Sequence, residues 1–367
     1  GSTTTVSIKN LQCGQGEIIA TSTVGIGNGK FAQRVVKVKV IKSFGSLTED
    51  SPIFAGSPSG ESTIQSSVMN VYNGNLFSNN NINIKYWSTV NVYDNPTSAS
   101  QEGQVLANGN VNLTLSTLNS SSTCSKNMCT EGICEKCPVD FQEMPAIDFD
   151  SSDSNSYKSK AQKAENEGQC SVIGKDSERS VVSTTSKCIF SENEFEDLLW
   201  QVGKGGTLIL EYKSNGHATS TYYIDGGLDL KGERLLEIQG ILVADETVNI
   251  GESFCWRKGW QFDCGFDQVK ITDPGKGIPS GILTKGKMNF GPYSSFGDVD
   301  ITGLVYSQDE MRLTSLPHKF KVVGGIIGRK FSLTSAFQSL DIYLDNDIIR
   351  EGVWGKSQSP SGTGASY

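Results

Sequence analysis

The feature that most constrains this chain is a repeat. Gly281, Gly303 and Gly325 stand 22 residues apart. Each is followed by an apolar pair, a short polar turn and two apolar residues in alternation, as in Gly281-Ile-Leu-Thr-Lys-Gly-Lys-Met-Asn-Phe. The same ledge recurs upstream. Gly74 precedes Leu76, Phe77, Ile82 and Ile84; Gly103 precedes Val105, Leu106, Val111 and Leu113; Gly240 precedes Leu242, Val243, Val248 and Ile250. Ser220 takes the place of glycine before Tyr222, Tyr223, Leu228 and Leu230. Alternating residues share one face of a strand. The polar middles, such as Ala107-Asn-Gly-Asn110, suit turns because Gly and Asn tolerate positive φ. One such unit cannot bury its apolar edge, but stacked units can.

Coils near 22 residues without a Leu-x-x-Leu-x-Leu frame point to a parallel β-helix over a leucine-rich repeat. The expected fold is therefore all-β: a right-handed parallel β-solenoid. Val243, Val248, Ile250, Val305, Met311, Leu313, Ile327 and Leu333 are expected inside it, and Gly281, Gly303 and Gly325 are expected to stack in register. The competing reading is an antiparallel sandwich whose spacings coincide by chance.

The flanks read differently. Glu17–Val24 and Phe31–Val40 alternate around Asn28-Gly29, a hairpin signal, so residues 1–45 form an N-terminal antiparallel hairpin. Residues 46–117 are the first part of the repeat. Residues 118–196 are a Cys-rich, acidic insertion, mostly irregular or helical, with a weak helix near 154–167. Ser191-Glu-Asn-Glu194 is a capping box that opens a short amphipathic helix. Residues 197–352 are the main repeat, and 353–367 a Ser/Gly-rich tail expected to be mobile.

Nine cysteines offer chemistry. Cys124, Cys129, Cys134 and Cys137 have the residue types of a Cys₄ zinc or iron–sulfur site, but the spacing fits neither ferredoxins nor paired zinc knuckles. Disulfides in an oxidising compartment are the better reading for an insertion this poor in apolar residues. At least two are expected among these four, Cys170 and Cys188, while Cys255 and Cys264 form a plausible local pair. The odd count leaves one thiol over, with Cys13 a candidate.

His217 and His318 are the only histidines, and both read as solvated turn residues; no nucleophile elbow, phosphate loop or metalloprotease motif accompanies them. Asp148, Asp150 and Asp153, like Asp341, Asp345 and Asp347, are acidic clusters without the full spacing of a calcium loop. No cofactor is expected; calcium is the one ion such clusters could take.

The net charge of −8 is uneven. Residues 1–50 carry six basic and three acidic side chains, while residues 121–200 carry eight and fifteen. An acidic chain repels a phosphate backbone, so binding of nucleic acid by the whole surface is disfavoured. The basic start reads as a strand edge guarded by lysines. There is no run of eighteen apolar residues, and Gly1-Ser2 reads as a cleavage scar, so the natural chain is expected to begin upstream.

Thr221-Tyr-Tyr-Ile-Asp-Gly-Gly-Leu-Asp-Leu and Gly240-Ile-Leu-Val-Ala-Asp-Glu-Thr-Val-Asn-Ile resemble the solenoid rungs of large minor pilins of type IV pili. Met144-Pro-Ala-Ile-Asp-Phe149 resembles the segment that precedes the later rungs in those proteins, and the N-terminal hairpin resembles the end of their pilin-like head. The resemblance spans most of residues 17–350. It implies an extracellular, non-enzymatic pilus subunit acting in tip assembly, adhesion or uptake, with other pilins as partners, a host or surface ligand, and an N-terminal membrane-anchoring helix outside this sequence. The Cys-rich insertion has no counterpart in that pattern, and no ligand site transfers. The alternative is a secreted β-helix polysaccharide lyase or hydrolase, for which Asp298 and Asp300 would be the paired carboxylates.

Overall fold

A computed structural model describes residues 2–354 apart from 11–14, 28–29, 42–49, 94–102, 129–134, 138, 214–220, 252–254, 259–260, 265–266, 276, 292–294, 315, 318 and 335–338. The expected tail at 357–367 lies outside the described residues. Among the described residues the chain is mostly β, dominated by one 26-stranded, mainly parallel sheet, with three short helices.

The ledge pattern explains the sheet. Ile53–Ala55, Ser62–Gln65 and Val68–Tyr72 form one turn of chain. They pair in parallel with Leu76–Ser78, Ile82–Lys85 and Thr89–Tyr93 of the next turn. Those pair in turn with Gln104–Ala107, Val111–Thr114 and Thr117–Asn119. The later repeat behaves alike: Thr221–Asp225 pairs with Ile241–Ala244, that strand with Gly281–Thr284, and that one with Val299–Leu313. In Ser62–Gln65, Val68–Tyr72 and Thr89–Tyr93 alternate residues are buried, whereas Ile53–Ala55, Leu76–Ser78, Ile241–Ala244 and Gly281–Thr284 are buried throughout. The eight residues expected inside, Val243 through Leu333, are all buried, as are the four apolar residues after Gly74, Gly240 and Ser220. After Gly103 three are buried and Leu113 is only partly so.

The glycine register needs correction. Gly281 stands opposite Leu304, and Leu304 opposite Gly325, while Gly303 stands opposite Gly324. The first turn is thus 23 residues and the next 21, so the spacing of 22 is an average. Close approach is the reason glycine sits here. A Cβ on Gly303 would lie 2.6 Å from the Gly281 Cα, and one on Gly325 would lie 2.7 Å from Ile349. Gly281 and Gly324 also take φ of +139° and +132°, which side chains disfavour. Gly74 and Gly103 likewise face neighbouring backbone, since a Cβ would meet Asp50 O at 2.6 Å and Gly74 O at 2.7 Å. Gly240 has φ +122°.

The two repeat segments are one stack. Phe320–Thr334 pairs with Ile53–Ala55 and Ser62–Gln65, and Ser339–Leu344 pairs with Val68–Tyr72. The chain enters the stack in its middle, winds outward to Ser122–Ser125, returns to the opposite end at Cys170–Lys175, and winds back until it meets its own start.

The return path is a strap. Asn79 and Gln142 exchange two hydrogen bonds, Tyr306 donates to the Pro145 carbonyl at 2.9 Å, Lys285 pairs with Asp150 at 2.6 Å, and Lys158 pairs with Asp225 at 2.9 Å. These partners follow one another in order along the stack, so residues 142–158 run lengthwise across it. Phe149 is buried beside Tyr306.

Helix α1, Tyr157–Asn166, follows the strap and is capped by Ser156. Helix α2, Glu192–Val202, has the expected capping box and buries Phe195, Leu199 and Val202. Helix α3, Asn346–Trp354, lays Ile348 and Ile349 against Gly324 and Gly325. The N-terminal hairpin, Gln15–Gly27 with Lys30–Ile41, is joined by Ser2–Asn10 into a separate three-stranded antiparallel sheet. Among the described residues no helix is long and apolar enough to cross a membrane.

Candidate functional site

The outward faces of Val68–Tyr72, Thr89–Tyr93, Thr117–Asn119 and Ser339–Leu344 form a regular side-chain array. Their inward alternates, such as Met69, Val71, Val90, Val92, Leu340 and Ile342, are fixed in the core. The outward residues are thereby held in register, one per turn. Asn119 donates to Asn91 Oδ1 at 2.8 Å, Asn91 donates to Asn70 Oδ1 at 2.8 Å, and Asn70 donates to Asp341 Oδ1 at 2.7 Å. Asn91 thereby uses one N–H and one lone pair among the described residues. An amide has two of each, so half its capacity faces outward.

Beside this ladder runs a tyrosine stack. The rings of Tyr343 and Tyr72 are 4.4 Å apart and those of Tyr72 and Tyr93 5.2 Å, nearly parallel in both pairs. Burial, with Asp341 and the flanking tyrosines, pushes the Tyr72 hydroxyl up to about 12. Lys321 caps the stack, its Nζ 5.6 Å from the Tyr343 ring centre.

Beyond the seam, where Ser339–Leu344 of the later repeat pairs with Val68–Tyr72 of the earlier one, the same ladder becomes charged. Lys321 stands opposite Asp341, Asp300 opposite Lys321, Lys270 opposite Asp300, and Glu237 opposite Lys270. Alternating signs favour this register over a slipped one.

The residues singled out from sequence are dispersed. Cys170 and Cys188 are joined, with Cα atoms 5.5 Å apart. Cys124 and Cys137 are each disulfide-bonded. Cys13, Cys129, Cys134, His217 and His318 lie outside the described residues. Cys255 and Cys264 stand opposite each other in a hairpin. Asp148 accepts from Ser151, Asp150 pairs with Lys285, and Asp153 accepts from Asn155. Asp341 serves the amide ladder, while Asp345 accepts from the first N–H groups of α3, where Asp347 sits. Among the described residues no three His, Cys, Asp or Glu side chains are grouped to hold a metal. Asp300 accepts from Lys319 at 2.6 Å, and that hydrogen bond, with the charges of Asp300 and Asp298, raises the Lys319 pKa above its ordinary value.

Sequence reasoning missed the amide and tyrosine face, although a signal was present. Val68-Met-Asn-Val-Tyr72, Thr89-Val-Asn-Val-Tyr93 and Ser339-Leu-Asp-Ile-Tyr343 share one pattern, with apolar residues inward and Asn or Asp then Tyr outward. Compared with known proteins, the chain matches no family model, no curated protein and no solved structure.

Proposed function

We propose that this protein is a right-handed parallel β-solenoid working outside the cell as a non-catalytic binding and assembly subunit, of the minor pilin kind that its rungs resemble. One observation carries the reading. Disulfide-bonded cysteines sit at both ends of the stack: Cys124 in the last turn of the outward-winding part, and Cys170 with Cys188 at the opposite end. End turns of a stacked fold lack a neighbour on one side and need a cap. Caps that rely on disulfides form and persist in oxidising compartments. The laddered outer faces suit contact with partners, because their side chains are already ordered and little rotamer freedom is lost on binding.

The test is made on cells of the source organism with an antibody raised to this chain. Immunogold label on surface appendages, with Cys170 and Cys188 protected from alkylation until reductant is added, is the expected result. A cytosolic protein with freely alkylated thiols would overturn the proposal.

A further inference from the structure

We infer that the amide and tyrosine face, together with the corner at Tyr86 and Trp87, is a binding site for a neutral glycan chain. The inference deepens the binding role proposed above by naming its ligand.

The corner supplies the independent observation. Tyr86, Trp87 and Leu115 have φ of 52°, 60° and 51°. Residues with a Cβ rarely occupy this left-handed region, and bulky ones least; Gly or Asn holds it with less strain. Asn73, with φ 65° just beyond Tyr72, shows the residue type such a corner favours. Packing does not explain the aromatic choice, since Tyr86 is 44%, Trp87 67% and Leu115 68% exposed. The backbone is fixed nonetheless: Tyr86 N–H donates to Thr114 O at 2.9 Å and Trp87 N–H to Leu115 O at 2.6 Å. A rigid, strained corner that presents rings to solvent is a feature found at ligand sites.

The strand Thr89–Tyr93 leads directly from this corner. Trp87 stands before it, Tyr93 ends it, and Asn91 lies between. Six residues of strand separate the two rings by about 20 Å. An exposed ring at one margin, Trp87, a half-buried ring at the other, Tyr93, and amides at the centre match a sugar chain, whose C–H faces lie on rings and whose hydroxyls both donate and accept. The charges along this ladder, Asp341, Lys321, Asp300, Lys270 and Glu237, alternate in sign and sum to no net positive charge. A polyanion would need uncompensated cations, so a neutral chain is the ligand that fits.

The test uses the purified protein on a printed array of neutral, sialylated and sulfated oligosaccharides, with a single-stranded DNA oligonucleotide titrated alongside. Binding to neutral glycans is expected. Trp87→Asn should weaken the best of them at least tenfold while melting at or above the parent temperature, because Asn relieves the corner. Asn91→Ala should also weaken it, and Trp200→Ala, an exposed aromatic on α2, should bind as the parent does. The inference is overturned if no neutral glycan binds, if only sulfated glycans or DNA bind, or if Trp87→Asn binds like the parent. Such a failure removes the glycan site and leaves the surface location to be judged by its own labelling test.

Discussion

Leu313 is the position at which the stacked architecture makes its sharpest energetic demand. It is 1% exposed and stands in register between Phe290 on one turn and Leu333 on the next. Leu313→Ala removes three carbons, worth about 0.8 kcal/mol each as transfer free energy. A cavity term adds to this, and Leu→Ala changes in cores span about 2–5 kcal/mol according to how far the walls collapse. Here the walls are strands held by backbone ladders on both sides, so collapse is limited and about 4 kcal/mol is expected. Leu313→Ile, which conserves volume, should cost less than about 1.5 kcal/mol. Leu115→Ala, on the exposed corner, should fall within about 0.5 kcal/mol of the parent. Urea titration followed by far-UV circular dichroism reads all three as midpoint shifts at constant slope. If Leu313→Ala unfolds within about 0.5 kcal/mol of the parent, the residue does not face a packed interior and the assigned register is wrong.

Two further outcomes follow from the ends and the charged ladder. The Cys170→Ser, Cys188→Ser double variant removes a cross-link spanning 18 residues, worth about 3 kcal/mol; hydrogen exchange should rise in residues 157–191 and stay low near Leu313, and a uniform rise would contradict nearest-neighbour stacking. Glu310 is nearly buried; burial pushes its carboxyl up, but the Arg312 hydrogen bond and the charges of Arg312, Lys330 and Lys287 outweigh that and hold it below its ordinary value of 4.5. A depressed acid stabilises the fold above its unfolded pKa and loses that contribution as pH falls. Glu310→Gln should therefore be less stable than the parent at pH 7 and lose less stability on acidification below pH 4.5, measured by thermal melts; parallel pH profiles would refute the pairing.

Much of the interior was legible because a strand exposes its period directly. After Gly74, Gly240 and Ser220 the last two apolar positions alternate, which fixes the buried face of that strand, and the adjacent apolar pair before them marks a strand buried on both sides. The Ser191 capping box was equally local. The register of Gly303 was not legible, because one residue's difference between adjacent turns is invisible in an average spacing. Nor was the order of the stack: nothing local to Ile53 or Ile326 says that they are neighbours. The strap was hidden for a related reason, since Gln142, Pro145 and Asp150 find partners only across the length of the molecule. The amide and tyrosine face lay between these cases. Its pattern repeats in the sequence, but two of its strands adjoin only through the seam.

That seam is the claim on which the continuous face depends, and an engineered disulfide tests it directly. Val68 and Ser339 are register partners on adjacent parallel strands, where about 4.8 Å between strands lies within the Cα range a disulfide can span. The Val68→Cys, Ser339→Cys variant is oxidised mildly in the folded state, digested without reduction and mapped by mass spectrometry. A peptide pair linking positions 68 and 339 is predicted, formed in native buffer and lost when oxidation follows unfolding in urea. Absence of that pair in the folded protein would contradict the account, because the N-terminal turns would then not stack on the C-terminal ones.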